Sequence, residues 1–421
     1  MTPDCNDRTI PRRQVLRAGG ATLASILAGC NGLPPLGTQF KYGSIDVPQA
    51  EPPSYREWFP APSALPDASD ASDGYSAIVH VPPPTNAPTW ARSSAARRAV
   101  VSNMDYVGVD VDDMDITFLQ LYGTGMTATL VGDIDPAAVR DTVRETAYER
   151  VDTHAGYDLY ERGDCPWTVA VGPEAVVFGN GPHARAVVTA TVDAGRGDVT
   201  RYHERDANVA ALTESAGQRR WGRLWLRGIQ SITGGGMLED TVGWAGWLEH
   251  DGKDVYTVET WLFPEEYDVS EQAVKEALKN DYPTMSLPSR RHASAVDVTV
   301  EGRVATITLA IKRSYVNETL AQKTSQLPAV AWRATHDPDA EQVTIHHDAG
   351  DSVPTDALRV TGDLDPSTID IGHLGGQMEP GESFTVSTAA PETDDDAGIE
   401  VRITIHSDSG WSTTVYKHEF E

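Results

Sequence analysis

The order of its elements, more than any single motif, limits what this chain can fold into. Two stretches far apart each read as strand, acidic-capped helix and hairpin. In the first, Met126 to Val131 is an apolar strand. Asp133 and Asp135 then lead into Pro136, with Val139, Val143 and Ala147 on one helical face. An acidic N-cap before a first-turn proline marks a helix start, because the carboxylate accepts unpaired amides and proline has none to leave unpaired. Tyr157 to Tyr160 and Thr168 to Val171 read as strands, the latter turning at Gly172-Pro173 into Ala175 to Phe178. The second stretch runs from Val255 to Leu262, then through Asp268, Ser270 and Glu271 into a helix bearing Val274, Ala277 and Leu278. Its hairpin is Ala295 to Val300, a turn at Glu301-Gly302, and Val304 to Ile311. Two short helices, His183 to Val192 and Asn208 to Ala216, are expected between the stretches. This arithmetic predicts an α+β fold of duplicated ferredoxin-like units over residues 76–325.

The flanks differ in character. Residues 30–75 read as a tether and an extended lead-in segment, since Pro34, Pro35, Pro48, Pro52, Pro53, Pro60, Pro62 and Pro66 exclude regular structure. Tyr55, Trp58 and Phe59 are expected to dock that segment onto the folded body. Over residues 326–421 the helical period disappears. Short apolar runs such as Val330 to Ala334, Gln342 to His346, Ser383 to Val386 and Glu400 to Ile405 alternate with Gly, Pro and Asp turns, which predicts a β-sandwich.

Charge narrows the setting. The chain carries 62 Asp+Glu against 34 Lys+Arg, a net charge of -28, and only 7 of the basic residues are Lys. Such a surface repels itself in dilute buffer and is tolerated where molar salt shortens the Debye length to about 3 Å. It also argues against nucleic acid as a partner, because phosphate binding needs clustered cations.

The first residues point to export. Arg12 and Arg13 precede a short apolar stretch, Ala18 to Ala28, that ends in Leu27-Ala28-Gly29-Cys30. A basic region, a brief apolar core and a small-residue end form an export signal, here 1–29, and the core is shorter than the ~20 residues of a membrane-spanning helix. Arg12, Arg13 and Leu16 resemble the twin-arginine leader, although Pro11 and Val15 stand where Ser or Thr and Phe are common. Leu27 to Cys30 resembles a lipoprotein box, which implies a lipid on Cys30 and a place on the outer face of the cell membrane. Cleavage there would leave Cys165 as the sole unmodified cysteine, so no disulfide is expected within one chain.

Two further resemblances concern the body. The organisation of Asp133 to Gly217 resembles lipoproteins of haloarchaea and brings no activity with it. In the C-terminal part, Val343-Thr344-Ile345-His346-His347-Asp348-Ala349-Gly350-Asp351, then Leu358-Arg359-Val360, then Met378-Glu379-Pro380-Gly381-Glu382, is similar to the soluble part of archaeal type IV pilins. That likeness covers less than a quarter of the chain and implies an immunoglobulin-like module with an envelope or pilus protein as partner. The apolar assembly helix of pilins is missing here, which argues against polymerisation.

Motifs for chemistry are sparse. His346, His347, Asp348 and Asp351 are the densest set of metal-ligand types, but adjacent strand residues point to opposite faces, and Gly350-Asp351 reads more simply as a turn. Asp110 to Asp115 and Asp394 to Asp396 lack the spacing of a calcium loop, and Gly234 to Gly236 is not followed by the Lys-Ser/Thr of a phosphate loop. No nucleophile elbow or zinc-binding helix is present, so no catalytic residue, metal or cofactor is assigned. Asn317 opens a glycosylation triplet. The candidate ligand patch is Arg219, Arg220, Trp221, Arg223 and Trp225, near Trp244, Trp247 and Trp261. One reading is an aromatic, cationic groove for an anionic or sugar-like ligand. The other is a helix with Trp221, Leu224 and Trp225 on its core face and the arginines in water. Together these features lead us to expect a non-enzymatic, lipid-anchored cell-surface protein. The alternative is a solute-binding lipoprotein with its ligand between the two α+β units.

Overall fold

A computed structural model describes residues 41–66, 75–82, 95–122, 125–227, 241–252, 254–279, 293–312, 315, 327–369, 371, 374–389, 399–406 and 412–420. Its dominant feature is one antiparallel sheet of twelve strands. The strands are β1 (Tyr75–His80), β2 (Ile116–Tyr122), β3 (Gly125–Val131), β4 (Tyr148–His154), β5 (Tyr157–Arg162) and β6 (Trp167–Val171). They continue as β7 (Ala175–Asn180), β8 (Trp221–Arg227), β9 (Gly243–His250), β10 (Val255–Leu262), β11 (Ala293–Glu301) and β12 (Val304–Ile311). Their order is β11-β12-β10-β9-β8-β1-β2-β3-β7-β6-β5-β4. The α+β class holds, with the sheet as its larger part. Outward from the central β1–β8 pair the two sides share an order, and β4–β5 extends one of them.

Five helices matter to the packing: α1 (Ala95–Val101), α2 (Pro136–Arg144), α3 (Ala184–Arg196), α4 (Ala207–Ala216) and α5 (Glu271–Lys279). Asp135 caps α2, its carboxylate accepting from the amides of Ala137 and Ala138 at 2.9 and 3.4 Å. Helix α2 stops at Arg144, so Val139 and Val143 are buried while Ala147 lies beyond the helix end. Ser270 caps α5 through the amide of Ala273, and Val274 and Leu278 point into the core.

Directly paired residues share a face of the sheet, which sorts the core into two sides. The back face carries Ala77, Phe118, Leu224, Trp247 and Val258, covered by Val187 and Val188 of α3 and by Val209 and Leu212 of α4. Tyr55 and Phe59 are fully buried in the same cluster and Trp58 nearly so, and the lead-in segment follows this face. Glu51 and Gln218 exchange amide–carbonyl bonds of 2.9 and 2.8 Å, and buried Gln120 donates to the carbonyl of Trp58 at 3.0 Å. At the far side, the backbone of Lys41 to Gly43 bonds Val296 and covers the β11 edge. The opposite edge, β4, is bulged between Arg150 and Asp152 and carries Glu149, Arg150 and Asp152. Bulges and charges of this kind discourage strand-to-strand aggregation.

Strand β8 corrects the helical reading of residues 221–227. A spacing of four between Trp221 and Trp225 suits a helix face, but four is also a multiple of the strand period of two. The full run settles it: Trp221, Arg223 and Trp225 share one face, while Gly222, Leu224 and Leu226 fill the other, buried one. Gly222 disfavours helix and leaves room here for the ring of Trp247, which a methyl group would overlap.

The C-terminal strands form two three-stranded sheets and one short pair. β13 (Val330–Asp337), β14 (Gln342–Gly350) and β18 (Ser383–Ser387) make one sheet, and β16 (Leu358–Gly362), β19 (Ile399–His406) and β20 (Ser412–Phe420) the other. β15 (Val353–Pro354) pairs with β17 (Gln377–Met378). Trp332, Val343, Ile345 and Phe384 meet Val360, Val401, Ile403 and Tyr416 in a core continuous with Leu119, Leu130, Val169 and Phe178 of the large sheet's front face. The sandwich strands therefore pack against the large sheet.

Candidate functional site

Strand β8 lies beside β1 at the centre of the sheet, and its front-facing side chains are Trp221, Arg223 and Trp225. Across β1 they meet His80, Ile78 and Ser76, and across β9 they meet Leu248, Gly246 and Trp244. Trp225, Trp244 and Trp261 form a cross-strand row in which the last two are buried. Trp261 donates its indole N–H to Glu259 at 3.2 Å. Trp221 and Trp225 are half-buried, and Arg223 is exposed.

The other two residues of the patch point elsewhere. Arg219 donates to the carbonyl of Pro48 in the lead-in segment. Arg220 lies 3.7 Å from Glu249, whose alternation with Leu248 places it on the back side. Burial raises the carboxyl of Glu249, offset by the His250 amide and the two arginines. The five residues thus divide three and two: the strand that begins at Trp221 groups Trp221, Arg223 and Trp225 on one face, while Arg219 and Arg220, which precede it, turn to Pro48 and Glu249.

Beside Trp221 stands a second polar group. Asp112 accepts from Nε of Arg97 at 2.9 Å and lies 3.6 Å from Nε2 of His80. Burial alone would raise Asp112, but hydrogen bonding to His80 and the charge of Arg97 hold it below the usual carboxylate range. Arg97 also donates to the carbonyl of Leu327 at 3.1 Å, tying this corner to the chain that enters the sandwich.

Sequence reasoning missed a cluster of buried charges around Arg162. Arg162, with a side chain 1% exposed, donates to Asp105 at 2.7 Å and to both oxygens of Asp164 at 2.8 and 2.5 Å. Tyr148 adds a hydroxyl bond of 3.1 Å to Asp105, and the rings of Tyr148, Trp167 and Tyr416 surround the guanidinium at 5.7, 5.0 and 5.6 Å. These groups come from both sides of the sheet–sandwich boundary, so no local motif announces them. Cys165 lies here too, its Sγ 3.8 Å from Nδ1 of His418. Burial pushes the thiol up to about 12, so it stays protonated near neutrality and is a poor nucleophile.

Burial also pushes Asp105 up to about 6, only partly offset by Arg162 and Tyr148. The folded carboxyl therefore keeps its proton to higher pH than the unfolded one at 3.8. That group favours the folded state at low pH, and the advantage is lost as pH rises through about 6. We expect wild type to lose stability relative to Asp105→Asn across this window, as followed by thermal unfolding on either side of it. A constant difference would contradict the assignment.

The histidine cluster separates as its strand dictates. His347 is buried and stacks on Trp332 at 4.9 Å, while His346 contacts Thr335 on the outer side. Asp348 pairs with Arg333, and Asp351 accepts from the amide of Ala329 at 2.9 Å. Gly350 has φ +108°, and a side chain there would run into the Ala329 carbonyl. Among the described residues, no three His, Cys, Asp or Glu side chains form a group fit for a metal ion. No helix among them is long and apolar enough to cross a membrane. Arg12, Arg13, Leu16, Cys30, Asn317, Gly234 to Gly236 and Asp394 to Asp396 lie outside the described residues.

No family model matches the chain, and no curated protein matches it. Among solved structures it is similar to TP0453 in crystal forms III, IV and I, each with a TM-score of 0.35 and 10% identity. These alignments cover 63%, 66% and 62% of this chain and 95%, 98% and 96% of the other. A likeness this shallow carries no argument about function.

Proposed function

We propose that this is a lipid-anchored protein on the outer face of the cell membrane of a haloarchaeon, adapted to high salt, that binds rather than catalyses. The observation that carries the reading is the run Leu27-Ala28-Gly29-Cys30 behind Arg12-Arg13, followed by a proline-rich tether. The lead-in segment supports it: a tether leaving the body at Lys41 would emerge beside the β11 edge, where Lys41 to Gly43 are already bonded. The body is then a duplicated pair of units, each with a front-face helix, α2 or α5, after its inner hairpin. The sandwich is an immunoglobulin-like module for an envelope or pilus partner. Among the described residues the large apolar side chains left exposed are Leu121 and Val151, both on the large sheet. A partner of the sandwich would therefore be met through polar contacts.

The alternative, a solute-binding lipoprotein, draws on a different observation. The two units join through six residue pairs of β1 and β8, so they form one continuous platform instead of two hinged lobes. A ligand between them would lie on the platform, over β8.

Fractionating salt-grown cells that carry wild type or Cys30→Ser tests the anchor. Wild type is expected with membranes, and Cys30→Ser in the medium or as uncleaved precursor. If both forms stay in the cytoplasm, the reading of the leader and of the location is wrong.

A further inference from the structure

In a chain with net charge -28, a cation without a carboxylate calls for an explanation. Arg97, Arg162 and Arg201 each hold one. Arg223 does not. Its neighbours along the front face are Trp221 and Trp225, and its cross-strand neighbours are Ile78 and Gly246. None of these four side chains offers an acceptor. The nearby carboxylates are engaged elsewhere: Asp112 with Arg97, and Glu259 with the indole of Trp261. Partial burial lowers the pKa of Arg223, and neither carboxylate offsets it.

The flanking indoles show the same imbalance. Nε1 of Trp221 and Nε1 of Trp225 are buried and have no hydrogen-bond partner among the described residues. A buried N–H left without an acceptor costs about 1–3 kcal/mol, so two beside an unpaired guanidinium form a site of donors awaiting acceptors. On one strand face the two tryptophans lie about 13 Å apart with Arg223 midway. Each indole is then about 6–7 Å along the strand from Arg223, which suits one ring against an indole with its anionic group on the guanidinium. On the β1 side Ile78 and Ser76 are buried, and the exposed apolar side chain beside Trp225, across Ser76, is Leu121.

We infer that the front face of β8 binds a small organic anion, a carboxylate or phosphate ester carried on a ring. Arg223 takes the anionic group, and the face of Trp225 takes the ring. The inference deepens the solute-binding reading of the protein but does not depend on the lipid anchor. An arginine is suited to this position, because its planar fork meets carboxylate and phosphate oxygens two at a time. Stacking on tryptophan adds shape selectivity that salt does not screen. This matters in a solvent where an isolated charge contact is weak.

The test is titration of the purified full-length mature chain in molar KCl. Tryptophan fluorescence and calorimetry would follow glucuronate, glucose 6-phosphate, uncharged glucose and inorganic phosphate. Glucuronate and glucose 6-phosphate are expected to bind, with glucose and inorganic phosphate at least tenfold weaker. Arg223→Gln should weaken the two charged sugars tenfold or more, Arg223→Lys should retain part of the affinity, and Trp225→Phe should weaken them with Arg223 intact. Near-ultraviolet circular dichroism would show that each variant is folded. Equal binding of charged and neutral sugars, no binding of any, or wild-type affinity in Arg223→Gln overturns the proposal. Flotation with phosphatidylglycerol vesicles separates the remaining source of phosphate. Vesicle binding that requires Arg223, without a response to the soluble sugars, would assign the site to a lipid headgroup and overturn it as well.

Discussion

Arg162→Leu is expected to destabilise the folded chain by about 3–5 kcal/mol, the range seen when one partner of a buried ion pair is removed. Asp105, 1% exposed, would lose its only ion-pair partner among the described residues and keep a single hydroxyl bond from Tyr148. Asp164 is 18% exposed and would recover part of its hydration, so Asp105 carries most of the penalty. The ring faces of Tyr148, Trp167 and Tyr416 would also lose the guanidinium they enclose. Because the cluster is buried, molar salt should not abolish the loss, whereas it would for surface pairs such as Arg144–Asp141. Chemical denaturation at two salt concentrations measures both effects. The double variant Arg162→Leu/Asp105→Leu should recover much of the loss, since replacing both charges by apolar groups is often close to neutral. A loss below about 1 kcal/mol in the single variant would mean that the cluster is hydrated in solution.

Trp247→Ala should be of similar size, about 3–5 kcal/mol, from lost burial plus the cavity left behind. The ring is fully buried on the back face, lies over Gly222 and meets Tyr55 of the lead-in segment at 5.9 Å between centroids. Its removal should loosen that segment as well as the sheet, so faster proteolysis near Tyr55 is expected alongside the drop in stability. Gly222→Ala alone should cost about 1–3 kcal/mol by forcing the ring aside. With Trp247 already truncated, the added methyl would enter space the ring has vacated. The two costs should therefore fall short of their sum by about 1 kcal/mol or more, and strict additivity in the cycle would show that the residues do not share that space.

Local physics made several parts of this fold legible. Asp135 before Pro136 placed the start of α2, and the alternation after Val330 placed the sandwich strands, because caps and strand periods act between near neighbours. The lead-in aromatics Tyr55, Trp58 and Phe59 were readable for a similar reason: large apolar rings in a polar, proline-rich stretch need cover. The stretch from Trp221 to Trp225 was ambiguous, since its spacing satisfies helix and strand alike. The pairing of β8 with β1 and β9 resolved it by supplying backbone partners from residues far along the chain.

The site divides along the same line. The amino-acid order by itself determined that arginines and tryptophans would be dense near residue 221, and it carries the resemblance of the first thirty residues to a lipoprotein leader. Only the tertiary structure could turn Arg219 and Arg220 to Pro48 and Glu249 and leave Arg223 between two indoles with no carboxylate partner among the described residues. Likewise, only tertiary packing could bring Asp105, Arg162, Asp164 and Tyr416 together across some three hundred residues. The physical reason is range: capping and alternation depend on residues a few positions apart, whereas whether a charge is paired depends on which distant segments enclose it.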